Sequence, residues 1–362
     1  MAPKKETASK EAPEGGEGEE VKSEKVVIPF NDAEKTMSDM GRTLTGKSYA
    51  YRSMDCAGKG IGALKGIEAY EHLHLLDLSQ NHIKDVTPLK GLQNLLTLKL
   101  ANNEIPHMRP WLDPEAPSFP QLLHLDLSNN SLTLLPVLPF PMLRTVSFAN
   151  NEISKKDEEY TGHATLQSFD LSDNKLKNLE MFAGFPALTK LDLSGNELTT
   201  IDGLADVPEL QELILARNKF QVVEGETWAT LTNLHSLDLA GNKLRLLGTL
   251  EALRVLPKLR SLNTSGNPIG RPLSGPSETT AAADDGEPMS PTVTAGAPSP
   301  AERRTHILLC HWRLDVIDDK PVSADEREAA KQANLDRMLQ EREAQKRAEE
   351  EAAAAAAAEN GD

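Results

Sequence analysis

Residues Leu188–Leu198 read LTKLDLSGNEL, and this eleven-residue pattern, L-x-x-L-x-L-x-x-N-x-L, recurs through the middle of the 362-residue chain. Nine stretches follow it, and their asparagines are spaced 21 to 27 residues apart. They are Asn81, Asn103, Asn130, Asn151, Asn174, Asn196, Asn218, Asn242 and Asn267. Such a period is typical of a solenoid, in which a coil buries its apolar face only against its neighbours.

Each position of the pattern has a physical role. Positions 1, 4, 6 and 11 are apolar, and we expect them to point into a shared core. The x-L-x-L part predicts one short parallel strand per coil on a concave face, and return segments that are apolar every third residue suit 3₁₀ or short helical turns on a convex face. The asparagine lies where the chain leaves the strand, so stacked copies are expected to form a hydrogen-bond ladder. The pattern predicts an α/β leucine-rich repeat solenoid.

Both ends of a solenoid need a cover. One period before Leu73, the residues Tyr51, Met54, Cys56 and Ile61 fit the apolar positions of a degenerate first coil, in which Lys59 replaces the asparagine. Cys56 is then expected to be an inert core thiol.

After the last coil, a Pro/Ser/Thr/Ala-rich segment cannot bury apolar surface and is expected to be disordered. It contains two weak candidate sites for proline-directed kinases, Ser290 and Ser299. The apolar strip His306–Ile317 is expected to cover the last coil. Ser323 and Glu326 form a capping-box pattern before a long run of helix formers.

The sequence therefore predicts a C-terminal cap followed by a long charged helix. The predicted organisation is a disordered tail (1–31), an N-terminal segment leading into the stack (32–50), the solenoid (51–269), a disordered linker (270–304), the cap (305–322), the charged helix (323–358) and a short tail (359–362).

Two groups of residues are candidate partner contacts. Position 5 of the repeat carries five aspartates on the concave face: Asp77, Asp126, Asp170, Asp192 and Asp238. They predict an acidic strip that binds a basic partner segment. The alternative is that L-D-L-S is a common sequence in this repeat and that the aspartates are merely solvated. The second group, Leu335, Met338 and Leu339, shares one face of the charged helix. No heptad is sustained there, so the helix is exposed or docked lengthwise on a partner.

Composition and motifs favour a binding protein over an enzyme. A formal net charge of −16 argues against nucleic-acid binding. No secretory signal and no run of 18 apolar residues is present, so we expect a cytoplasmic protein without a membrane contact. The adjacent Cys310 and His311 point to opposite sides of an extended segment and do not indicate a metal site. No phosphate-binding or nucleophile motif occurs, so no cofactor, metal, catalytic residue or small-molecule substrate is predicted.

Several stretches resemble one family, the ciliary leucine-rich-repeat-containing protein 23 group of the radial spokes. The stretches are Leu44-Thr45-Gly46-Lys47 with Ala50-Tyr51, His72–Ile105, Leu247–Ile269 and Arg313–Gln345. The resemblance covers residues 40 to 345, and the segment 270–304 and the alanine tract Ala352–Ala358 depart from it. The repeats are common to many families, whereas the cap with its charged helix is more specific.

The resemblance implies a non-enzymatic component of motile cilia or flagella that lies in the axoneme at a radial spoke and holds spoke proteins together. The residues alone favour the same class, a scaffold for other proteins. The rival hypothesis is an intracellular regulatory adaptor, either like a phosphatase regulator or associated with splicing.

Overall fold

A computed structural model of the chain describes residues 26–27, 36–42, 49–112, 119–269 and 299–359. The predicted tail 1–31 apart from Val26–Val27, the linker up to residue 298 with Ser290, and residues 360–362 lie outside this part. Within it, strands β1 to β17 are Val26–Val27, Met37–Arg42, Tyr49–Asp55, Ile61–Ala63, Leu75–Asp77, Thr97–Lys99, His124–Asp126, Leu134–Leu135, Thr145–Ser147, Lys155–Lys156, Ser168–Asp170, Lys190–Asp192, Glu212–Ile214, Ser236–Asp238, Ser261–Asn263, Val316–Ile317 and Lys320–Pro321.

Thirteen of these strands form one sheet, in the order β17-β16-β15-β14-β13-β12-β11-β9-β7-β6-β5-β3-β2. All neighbours from β3 to β16 are parallel, and the outermost strand at each end, β2 or β17, is antiparallel to its neighbour. The return segments contain 3₁₀ helices at Ile67–Ala69, Thr87–Gly91, Arg109–Trp111 and Leu247–Val255, and one helical turn, α1, at Thr227–Thr230. The predicted solenoid is confirmed.

The asparagine ladder is present in all nine repeats. Asn196 shows its geometry: Nδ2 donates to the carbonyls of Leu193 in its own coil (3.0 Å) and Leu171 in the preceding coil (2.9 Å), and Oδ1 accepts from the backbone N–H of Leu176 (3.0 Å). The other eight asparagines repeat this pattern. Each amide therefore satisfies buried backbone groups in two coils at once, which links neighbouring coils beyond apolar contact.

The N-terminal end differs from the prediction in two respects. Val26–Val27, inside the segment expected to be disordered, pairs in parallel with Ile61–Ala63. Tyr51, assigned to the core of the degenerate coil, is 37% exposed, whereas Met54 and Cys56 are buried. The reason is that strand β2, and not a coil of the stack, pairs with this side of β3; Met40 lies opposite Tyr51 and the tyrosine stays open to solvent.

At the C-terminal end the ordered structure begins earlier than predicted. Helix α2 spans Pro300–Cys310, so the last five residues of the range 270–304 are helical. Ser299 caps this helix: its Oγ accepts from the backbone N–H of Glu302, and the Glu302 carboxylate accepts from the N–H of Ser299 (2.7 Å). The pattern Ser-Pro-x-Glu is itself a helix-start signal, with proline at the first helical position.

After α2, strand β16 pairs with β15 and extends the sheet beyond the last repeat. Leu259 and Leu262 of the last coil are buried beneath this cover. Helix α3 spans Ala324–Glu359. Its predicted capping box is confirmed, because the N–H of Ser323 donates to Glu326 (2.9 Å) and the N–H of Glu326 donates to the Ser323 hydroxyl (3.2 Å).

Candidate interaction surfaces

The concave face of the sheet forms an open groove of about 350 Å³ over strands β6 to β12. Its charged lining carries both signs, because Lys99 and Lys190 stand among Asp126, Asp170 and Asp192. Asp170 and Asp192 lie opposite each other on neighbouring parallel strands.

The five predicted aspartates make a backbone contact that the sequence analysis missed. In each, Oδ1 accepts a hydrogen bond from the backbone N–H two residues ahead, at 2.8 to 3.0 Å. The acceptor carboxylates belong to Asp77, Asp126, Asp170, Asp192 and Asp238. This local turn contact is a common use of aspartate where a chain leaves a strand. One oxygen of each carboxylate is therefore engaged in the turn.

Several of the remaining carboxylate oxygens also have partners. Asp77 pairs with Lys99 at 3.4 Å, and Asp170 accepts from the Ser147 hydroxyl at 2.9 Å. Burial raises the pKa of Asp77, but the hydrogen bonds from Ser79 and the charge of Lys99 outweigh burial and leave this pKa lowered. The face is therefore a mixed-charge surface in which Lys99 interrupts the aspartate column and Lys190 lies beside it.

Asp238 shows the opposite electrostatic balance. Burial is the main cause of its raised pKa, and the nearby carboxylates of Asp319 and Asp192 raise this pKa further. The side-chain amide of Asn263 donates a hydrogen bond to the carboxylate of Asp238 (3.4 Å) and another to that of Asp319 (3.1 Å). The side-chain amide therefore partly offsets the repulsion between two like charges.

The predicted helix patch lies at the surface. Leu335, Met338 and Leu339 are 51%, 58% and 52% exposed. The preceding part of α3 packs against α2 and buries Ala330 between the two helices. The patch therefore begins five residues beyond Ala330 and occupies an exposed side of the helix.

A large apolar residue outside the predicted groups is even more open. Trp312, in the turn after α2, is 72% exposed, and the Arg313 guanidinium lies 5.2 Å from its ring centre. Beside it, a cleft of about 340 Å³ runs between α2 and α3. Its lining consists of Leu308, Leu309, Trp312, Arg327, Ala330, Lys331 and Asn334. The single tryptophan of the apolar strip His306–Ile317 was the sequence signal for this surface.

Two arginines attach α3 to the cap. Arg304 of α2 donates to Glu326 (3.1 Å to Oε2), and Arg327 donates to the carbonyls of Trp312 (3.1 Å) and Leu314 (2.8 Å). The hydrogen bond from Arg304 is the main reason why the pKa of Glu326 falls to about 2; the capping contacts with Ser323 act in the same direction. The start of α3 is thus held on two sides.

Other candidate chemistry finds no support in the described part of the chain. Cys56 and Cys310 are free, buried thiols, and burial raises the pKa of both, that of Cys310 to about 11. His311 is buried with its Nε2 2.8 Å from the carbonyl of Leu256, a structural contact between the cap and the stack. No group of three His, Cys, Asp or Glu side chains within the described ranges is placed to hold a metal ion. No helix there is long and apolar enough to cross a membrane.

Family models of the leucine-rich repeat match three segments of the stack. The description "Leucine rich repeat" applies to residues 208–269, "Leucine Rich repeats (2 copies)" to 164–206 and "Leucine Rich Repeat" to 121–141. Among solved structures, a leucine-rich-repeat protein of Leptospira interrogans aligns with a TM-score of 0.54 at 22% identity, over 73% of this chain and 60% of that one. This similarity concerns the fold alone.

Relatives in sequence include leucine-rich repeat-containing protein 23 of Bos taurus, 30% identical over 270 residues, which are 64% of this chain and 66% of the relative. The alignment thus spans just under two thirds of the relative's length. The human protein of the same name is 29% identical over an equal share. U2 small nuclear ribonucleoprotein A' of Arabidopsis thaliana is 33% identical over 110 residues, 29% of this chain and 43% of that protein.

Proposed function

We propose, from the premise that this chain is a leucine-rich-repeat protein resembling leucine-rich repeat-containing protein 23, that it is a non-enzymatic scaffold of the radial spokes in motile cilia or flagella. Leucine-rich repeats are protein-interaction domains, and the described residues form a stack braced by the asparagine ladder. A stack of this kind offers an extended surface to other proteins.

The observation that carries the proposal is the contrast between this braced stack and the exposed apolar residues of the C-terminal unit, residues 299–359. Leu335, Met338 and Leu339 are more than half exposed although they lie next to a well-packed cap. Exposed apolar groups that cluster beside an ordered surface mark protein contact sites. The similarity to protein 23 extends over 64% of the chain, and the resemblance implies an axonemal partner.

The test is the location of the tagged full-length chain in a ciliated cell. We expect it in motile cilia, and we expect it to remain with axonemes after detergent extraction, because a scaffold docked through a long helix buries a large contact area. Loss of the protein is expected to impair beating while the microtubule doublets persist. A diffuse cytoplasmic or nuclear location would contradict the proposal.

A truncation separates the two candidate contact surfaces. Removal of residues 323–362 deletes α3 and leaves the concave face intact. We expect the truncated protein to be lost from axonemes. If it loads at normal levels, the mixed-charge concave groove becomes the leading contact, while the axonemal role itself stands.

The rival function is an intracellular regulatory adaptor associated with splicing. The similarity to U2 small nuclear ribonucleoprotein A' favours it, over less than a third of the chain. A nuclear location of the full-length protein, together with its recovery in ribonucleoprotein particles, would replace the axonemal proposal with this one.

A further inference from the structure

The cleft between α2 and α3 has the composition of a helix-binding groove. Leu308, Leu309, Ala330 and Trp312 are among its lining residues. Leu309 and Trp312 carry its accessible apolar surface, because Leu308 and Ala330 are buried. Trp312 is 72% exposed and is the most exposed large apolar side chain among the described residues. Tryptophan is the residue type most enriched among the residues that dominate binding energy at interfaces.

The cleft continues along α3 into the helix patch. Arg327, Lys331, Asn334 and Met338 follow one another at spacings of four, three and four residues, so they form a single stripe on one side of the helix. Leu335 and Leu339 lie on the adjacent stripe. The surface from Trp312 to Leu339 is therefore continuous, and Arg327 to Leu339 spans about 18 Å at about 1.5 Å per residue.

The charge of the cleft is opposite to that of the whole chain. The protein carries a formal net charge of −16, yet the two charged residues in the lining, Arg327 and Lys331, are both cationic. The guanidinium of Arg313 adds a third cation beside Trp312. Arg327 pairs with Asp315 at 2.9 Å, so its charge is largely compensated within the chain. Lys331 has an exposed contact with Glu328 at 3.2 Å, and exposed pairs of this kind hold a lysine only weakly. The rim is thus suited to carboxylates on a partner.

We propose that this groove binds an amphipathic helix of another protein, one with an apolar stripe flanked by acidic residues, as a third helix packed lengthwise against α2 and α3. A groove between two helices accepts a third by placing apolar anchors at i, i+3, i+4 and i+7. Lys331 and Arg313 carry the preference for acidic flanks, because complementary charge supplies specificity at a rim. The inference rests on the proposed scaffold function and names the chemistry of its partner.

The three tryptophans make the groove directly measurable. Trp111 and Trp228 are 0% and 1% exposed, so an aqueous quencher such as iodide reports on Trp312. The probe is a synthetic peptide of about 18 residues, long enough to hold a helix, with leucines along one face and glutamates beside them. Its matched control has lysines in place of the glutamates and the same leucines.

In the full-length protein we expect the acidic peptide to shift the Trp312 emission to the blue and to protect it from iodide. The lysine peptide should bind about tenfold more weakly or worse. Lys331→Glu should weaken this preference, whereas Lys243→Glu, an exposed lysine on the repeat stack, should leave it unchanged. Met338→Asp should weaken binding about tenfold, and Met142→Asp, a similarly exposed methionine on the stack, should have no effect.

Three outcomes would overturn the inference. Equal binding of both peptides would mean that the surface binds apolar helices without regard to their charge. Protection of Trp312 that rises with protein concentration, with a dimer in sedimentation, would assign the groove to a second copy of the chain. A Trp312 already shielded from iodide in the peptide-free monomer would mean that the chain covers its own groove.

Failure of this inference is distinguishable from failure of the proposed function. Trp312→Ala with Lys331→Glu in the full chain should reduce axonemal loading if both hold. Normal loading of this variant would remove the groove and leave the spoke role. If the protein binds the peptides charge-selectively but never reaches the cilium, the groove is supported and the spoke role is contradicted.

Discussion

The repeat stack and the C-terminal unit treat their apolar and charged side chains in opposite ways. In the stack, Leu191 and its equivalents are buried, and one carboxylate oxygen of Asp192 accepts a hydrogen bond from the backbone of its own turn. In the C-terminal unit, Trp312 and Met338 are exposed, and the charged residues that line the cleft are cationic. The stack is thus built for stability, whereas the C-terminal unit closes the stack and keeps the exposed surface at which we propose that a partner binds.

The largest effect that tests this division is the loss of the cover. Deletion from Ser299 onward uncovers the last coil, including Leu259 and Leu262, and exposing about 200–300 Å² of apolar surface costs about 5–8 kcal/mol at about 25 cal/mol per Å². Deletion from Ser323 onward removes only α3 and should leave the stack folded. Thermal unfolding of both truncations checks this, and equal melting temperatures would show that α2 and β16 are not the cover.

Within the stack, neighbouring residues on opposite faces should differ strongly. Leu191→Ala leaves a cavity in the middle of the core and is expected to lower the free energy of unfolding by about 2–5 kcal/mol. Asp192→Ala removes one hydrogen bond to the backbone N–H of Ser194 and should cost about 1 kcal/mol. Urea unfolding measures both. Equal losses would mean that the aspartate column contributes to stability as much as the core does.

The attachment of α3 to the cap should depend on acid. The pKa of Glu326 is about 2 in the folded chain, below its ordinary value of 4.5, because of Arg304. The pair therefore contributes fully above pH 4.5, and its contribution is lost as the pH falls towards 2. Hydrogen-exchange protection of residues 324–337, measured against the intrinsic rate at each pH, should fall over that range.

Glu326→Gln should show the lower protection already at neutral pH and should flatten the pH dependence. Glu343→Gln, farther along the same helix, serves as the control and should behave like the parent chain. If the Glu326 variant keeps the parent pH profile, Arg304 does not hold the helix start.

The smallest effect on stability is expected at the exposed patch. Met338→Asp should change the free energy of unfolding by less than about 0.5 kcal/mol, because the side chain is 58% exposed. The same variant should nevertheless load poorly onto axonemes. A loss of stability comparable to that of Leu191→Ala would place Met338 in a folded contact and end the contrast between the two regions.

Most of the fold could be read from the sequence because its physics is local and repeated. Position 8 of each repeat, for example, adopts a left-handed backbone with φ near 50–70°, as at Asn150 and Gly195, and the sequence favours asparagine and glycine there. The capping box at Ser299 was equally readable. It was missed because proline and serine in a low-complexity segment indicated disorder.

The candidate contacts were only partly readable, since a residue type does not say which of its groups are already engaged. The sequence placed five aspartates in one column; the structure engages an oxygen of each in a turn and pairs Asp77 with Lys99. Trp312 could be noticed in the sequence, but its exposure beside a cationic cleft could not.

The sequence by itself determined the number of coils, their shared core and the asparagine ladder, because each repeat states the same burial pattern and only stacking can satisfy it. The sequence also predicted a cover at each end, but the tertiary structure decided how each cover is built. Tyr51 is exposed because β2 takes the place of a preceding coil. The groove beside Trp312 exists because Arg304 and Arg327 set α3 against α2, joining residues that no period in the sequence relates.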